Sequence, residues 1–115
     1  MKASAMTISE LQQRLSNPAP FFFWNVLTDE YFTGPMIPGS ARMPLTTIVR
    51  DVRNAALPFD AEIVVYCSSY TCPQSTLAAE KLVRSGYRNV HVYEGGVKEW
   101  REAGLPLEQL EPALA

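Results

Sequence analysis

Glu62-Ile-Val-Val-Tyr-Cys67-Ser-Ser-Tyr-Thr-Cys72-Pro-Gln-Ser75 is the segment on which the reading of this chain turns. Its first half strings β-branched and aromatic residues together without polar alternation. That pattern predicts a strand buried on both faces, as in a parallel sheet. Its second half predicts a loop that feeds a helix from about Pro73 to Ser85. The apolar stripe of that helix is Ala78, Ala79, Leu82 and Val83, and Gly86 is its stop.

Moving outward, the same alternation repeats. On the N-terminal side, Ser9 with Gln12 has capping-box spacing for a helix that turns Leu11 and Leu15 to one face and ends at Asn17-Pro18. Phe21 to Val26 predicts a buried strand, and Thr28 a cap for a short helix through Phe32. Met36 to Pro44 is expected to be irregular, and Thr46 to Ala56 helical. On the C-terminal side, Val90 to Tyr93 reads as a strand, Gly95-Gly96 as a tight turn and Val97 to Ala103 as a helix. Strands alternating with helices across short loops define an α/β domain: a parallel sheet with helices on both faces. Ligands in such sheets bind beyond the carboxyl ends of the strands, which here means after Tyr66.

The totals fit one domain over residues 1–115, with a core at about 5–108 and a short tail, 109–115. Nearly half the residues are hydrophobic (47%), enough for a core without metal or disulfide staples. Ten basic against twelve acidic side chains give a net charge of −2, no footprint for nucleic acid or a membrane surface. The opening MKASAMTISE lacks the apolar run of a signal peptide, and Phe21 to Trp24 is too short to span a bilayer. A cytoplasmic setting is expected, where thiols stay reduced. Cys67 and Cys72 with the distant His91 make a poor zinc set, so neither metal nor cofactor is expected.

A loop between a strand's carboxyl end and a helix start can curl its N–H groups into an anion-binding nest. Cys67 at the mouth of such a nest is expected to lean toward thiolate, the nucleophilic form, and the nest would suit a bound persulfide as well. Ser68, Ser69, Thr71 and Ser75 add hydroxyl donors, and Tyr70 at the loop's centre is placed to cover the pocket or meet a partner. Cysteine is also among the most buried residues, so periodicity alone leaves open that Cys67 merely completes a core strand. Cys72 is open in the same way, between a helix cap with an acidified thiol and a small packing residue.

From Phe23 to Glu108 the chain resembles a rhodanese domain. The resemblance is carried by Ile37-Pro38-Gly39-Ser40 with Met43-Pro44-Leu45, and by Ile63-Val64-Val65-Tyr66-Cys67. Gly86-Tyr87-Arg88-Asn89-Val90, Glu94-Gly95-Gly96 with Trp100, and Ala103-Gly104-Leu105-Pro106 complete it. It implies a three-layer domain with a five-stranded parallel sheet, and a catalytic Cys67 that carries sulfane sulfur as a persulfide. The partners it implies are a small sulfur donor, thiosulfate or a persulfide, and a thiol or protein acceptor.

The loop departs from the family pattern. It is longer than usual, and Gln74 stands where an arginine is common. No Lys or Arg occurs between Cys67 and Thr76 to steady an anionic donor. Losing a charged hydrogen bond costs about 1.5–3 kcal/mol, or roughly ten- to a hundredfold in rate, so thiosulfate is expected to be a weak substrate. The same absence argues against phosphatase and arsenate-reducing relatives, whose loops grip oxyanions through arginine. Arg42, near the Ile-Pro-Gly segment, is the candidate replacement cation.

Cys72 is a candidate resolving cysteine, since its thiolate could attack a persulfide on Cys67, release sulfide and leave a disulfide. Packing at the helix start is its alternative role. Beside the sulfur carrier, a Cys67/Cys72 redox or stress-sensing protein and a catalytically silent binding module remain as competing functions.

Overall fold

A computed structural model of the chain describes residues 2–110. In chain order the elements are β1 (Ser4–Met6), α1 (Ile8–Ser16), β2 (Phe22–Asn25), β3 (Pro35–Met36), β4 (Ala41–Arg42) and α2 (Ile48–Asn54). They continue with β5 (Glu62–Tyr66), α3 (Gln74–Arg84), β6 (Asn89–Tyr93), α4 (Gly96–Glu102) and β7 (Glu108–Gln109). A five-stranded sheet takes the order β1-β6-β5-β2-β4, with all its pairings parallel. The apolar Glu62–Tyr66 run is thus the central strand, as its lack of alternation requires.

Side chains on β5 divide the core in two. Ile63 and Val65 face α2 and α3, where they meet Ile48, Val52, Ala78, Ala79 and Leu82. Val64 and Tyr66 face the other way, onto Leu11 of α1 and Val97 and Trp100 of α4. Because successive strand residues point to opposite faces, one apolar pentamer anchors helices on both sides. The three-layer α/β expectation holds.

Local differences have local causes. The first capping box is built by Thr7 and Glu10, not by Ser9 and Gln12: Glu10 N–H donates to Thr7 Oγ1 at 3.1 Å and Thr7 N–H to Glu10 Oε1 at 2.9 Å. Both pairs have the same spacing, and the carboxylate is the stronger acceptor for the cap amide. Thr28 closes a single turn instead of a helix, its carbonyl accepting from the N–H groups of Tyr31 and Phe32. Gly34 and Pro35 follow too soon for more.

α2 is shorter than expected at both ends. Pro73 precedes α3 as its N-cap, which leaves Cys72 outside the helix. The irregular Met36–Pro44 segment holds Met36 at the end of β3 and the two-residue β4, and β1 adds an unexpected edge to the sheet. Gln109, expected in the tail, pairs with Pro35, whereas 111–115 lie outside the described residues.

Candidate active site

The loop after β5 is clamped before it begins to turn. Val97 N–H donates to Cys67 O at 3.1 Å and Lys98 N–H to Ser68 O at 2.8 Å, so the first turn of α4 sits on the loop's root. Gly96 permits this approach: its φ is +62°, and a Cβ there would lie 2.5 Å from Cys67 O. Further on, Cys72 N–H closes a turn onto Ser69 O at 3.1 Å.

The Cys67 side chain is 1% exposed and packs against Leu27, Phe32 and Met36, with Cys72 beside it. Its thiol donates to Ser75 Oγ at 3.3 Å and lies 3.4 Å from Cys72 O. Burial, reinforced by the hydrogen bond with Cys72, pushes its pKa up. This corrects the expected bias of Cys67 toward thiolate. Cys72 behaves in the opposite sense. Burial raises its pKa, but hydrogen bonds from Cys67, from the Gln74 N–H and from Ser68 outweigh it, and the net direction is down. The loop's N–H groups, expected to cradle Cys67, are thus divided: that of Ser75 favours the Cys67 anion, while those of Ser68 and Gln74 favour that of Cys72.

The other loop residues divide by where they point. Ser75 is buried and accepts a hydrogen bond from the Cys67 thiol. Ser69 and Thr71 bond to each other at 3.0 Å, and Ser68 is exposed at the rim. Tyr70, 64% exposed, donates to Glu99 Oε2 at 3.2 Å and so ties the loop to α4. Gln74 turns away from the sulfurs: its Oε1 accepts from Thr28 N–H at 2.9 Å, which fastens the α3 start to the segment after β2.

Arg42 is not a free pocket cation. It donates to Asn25 O, Asn25 Oδ1 and Leu27 O, pairs with Asp29 at 2.9 Å and stacks over Phe32. Its guanidinium is consumed in holding the chain after β2, a role its distance along the sequence concealed.

The cations that do reach the loop's surroundings were missed. Lys98 and Arg101 of α4 line a cleft of about 500 Å3 together with Leu27, Tyr31, Ser68 and Glu102. Their i, i+3 spacing directly after Gly95-Gly96 was the available signal, but it reads equally as a solvated helix face. Among the described residues, no cluster of His, Cys, Asp and Glu suits a metal ion, and no helix is long and apolar enough to cross a membrane.

A parallel sheet with a cysteine loop leaving its central strand defines the class, and comparison with known proteins narrows it. The model of the rhodanese-like domain matches residues 7–103, and the chain belongs to that family. It is 30% identical over 97 residues to a sulfurtransferase of Allochromatium vinosum, covering 84% of this chain and 87% of that one. It is 34% identical over 84 residues to an HTH-type transcriptional regulator of Mycobacterium tuberculosis, covering 73% of this chain but 35% of the regulator. The solution structure of a rhodanese-like domain from an Anabaena protein superposes with a TM-score of 0.79 at 24% identity, over 100% of this chain and 88% of that domain. A rhodanese with anions from E. coli gives 0.62 at 23% identity, over 79% of this chain and 100% of that one. At these identities the structural matches speak for the fold alone.

Proposed function

We propose that this chain is a sulfurtransferase that carries sulfane sulfur as a persulfide on Cys67 and uses Cys72 to assist and discharge it. The observation that carries this reading is the pairing of unlike thiols at the carboxyl end of the central strand. Cys67 is buried against Ser75 with its pKa pushed up by burial, and Cys72 packs beside it with loop amides favouring its anion.

Cys72, whose thiol is held below its ordinary pKa beside Cys67, serves as the base for the Cys67 thiol. As it takes that proton, Cys67 attacks the sulfane sulfur of a donor R–S–SH. The donor's S–S bond breaks, R–S⁻ leaves with the electron pair, and Cys67–S–SH remains. A thiol acceptor then removes the outer sulfur. In a second fate, Cys72 thiolate attacks the inner sulfur of Cys67, hydrosulfide departs and a Cys67–Cys72 disulfide forms, to be reduced by two equivalents of a thiol. The redox reading is favoured by the same adjacency. Both fates suit a reducing compartment such as the cytoplasm. Thiosulfate is expected to load poorly, since the loop offers no cation and Arg42 is committed elsewhere.

Mass spectrometry of the intact, reduced protein after incubation with a persulfide or with thiosulfate tests the assignment. A gain of one sulfur atom that Cys67→Ser abolishes supports the carrier. Loss of two hydrogens requiring both cysteines supports the redox route. A folded protein that shows neither change leaves only a binding role.

A further inference from the structure

The loop lacks a cation, yet cations stand next to it. α4 is fixed to the loop root by the amides of Val97 and Lys98, so Lys98 and Arg101 are presented at a defined place relative to Cys67. Among the described residues neither takes part in an ion pair; the pairs formed are Arg14–Glu62, Arg42–Asp29 and Arg50–Asp51. Both side chains line the cleft of about 500 Å3, and Glu102 lines it with them. Leu27, which belongs to the same buried cluster as Cys67, also lines the cleft, as does Ser68, the next residue after Cys67.

Size and charge narrow the occupant. The volume lies in the range that organic ligands fill, and a thiosulfate ion would leave most of it to water. Paired cations with one carboxylate complement a molecule that is itself zwitterionic, with more acid than amine. Leu27, Val97 and the ring of Tyr31 offer apolar surface for an aliphatic backbone.

We propose that this cleft receives the organic body of a low-molecular-weight persulfide bearing carboxylates and an ammonium group, with Lys98 and Arg101 holding the carboxylates and Glu102 the ammonium. The assignment rests on the sulfur-carrier reading of Cys67 and names its donor class. The transfer is the one described above: the donor's S–S bond breaks, its thiolate leaves into the cleft, and the sulfane sulfur stays on Cys67.

The test compares glutathione persulfide with hydroxyethyl persulfide, a donor lacking these charges, in the wild type and in K98Q/R101Q. The quantity read is the ratio of kcat/KM values for loading Cys67. In the double variant the preference for glutathione persulfide is expected to fall at least tenfold, chiefly through KM, and Lys98→Arg is expected to retain it. An unchanged ratio overturns the assignment.

S-methylglutathione, which cannot transfer sulfur, separates this claim from the one beneath it. In the wild type it is expected to shift the amide resonances of Ser69, Lys98 and Arg101, and in the double variant to leave them unmoved. If those shifts appear although no donor loads Cys67, the cleft stands as a site for a zwitterionic thiol and the carrier reading falls. If the shifts are absent, the cleft assignment is overturned whatever Cys67 does.

Discussion

Tyr70 at the crown of the loop donates its hydroxyl to Glu99 Oε2 of α4 at 3.2 Å, and that bond ties the loop that carries Cys67 to the helix. An exposed hydrogen bond of this kind contributes about 0.5–1.5 kcal/mol. Tyr70→Phe is therefore expected to loosen the loop and raise the alkylation rate of Cys67 by roughly two- to tenfold, with little change in global stability. Iodoacetamide labelling followed by peptide mass spectrometry measures this. An unchanged Cys67 rate would remove the latch role from Tyr70.

The thiols are expected to titrate in opposite directions from an ordinary cysteine. Burial favours neutral Cys67, so its thiolate appears only at higher pH. Donors around Cys72 favour its anion, so its thiolate persists to lower pH. As pH rises, the Cys72 labelling midpoint is expected to come first and that of Cys67 second. Cys67→Ala removes a donor to the Cys72 anion and is expected to move the Cys72 midpoint upward. A Cys67 midpoint below that of Cys72 contradicts the assignment of base and nucleophile.

Much of this was legible because some residues carry their tertiary role locally. Ile63, Val64 and Val65 are buried whichever face they take, so their run announced a central strand and, after it, the cysteine loop. β1 gave no such signal: Ser4 and Ala5 are exposed and the strand is defined by its pairing with β6. The opposite directions of the two thiol pKa values were also unreadable, since they depend on how deeply each sulfur is buried and which loop amides face it. The part of Arg42 was hidden for a similar reason: its place near the Ile-Pro-Gly segment suggested the pocket, but its partners Asn25, Leu27 and Asp29 come together with it only in space.

Arg42 should behave as a structural residue. Its removal leaves the Asn25 and Leu27 carbonyl oxygens without their guanidinium donor and uncovers the Phe32 face. Arg42→Ala is expected to cost about 2–3 kcal/mol in urea unfolding, and at permissive temperature to leave the preference among sulfur donors unaltered. A stable variant that has lost affinity for anionic donors would return Arg42 to the pocket.

Gly96 and Gly104 share a left-handed backbone, at φ +62° and +76°, but only Gly96 is crowded. A methyl at Gly104 meets nothing within 4 Å, so Gly104→Ala is expected to carry only the conformational penalty, about 1–2 kcal/mol. At Gly96 a Cβ would press on Cys67 O and on the Ser68–Ser69 peptide. Strain and overpacking together put Gly96→Ala at roughly 2–6 kcal/mol. The variant must push α4 off the loop root, so the Val97 and Lys98 amides should lose protection from hydrogen exchange as sulfur loading falls. Equal costs for the two substitutions, with those amides still protected, would mean that the close seat of α4 on Cys67 does not constrain the loop.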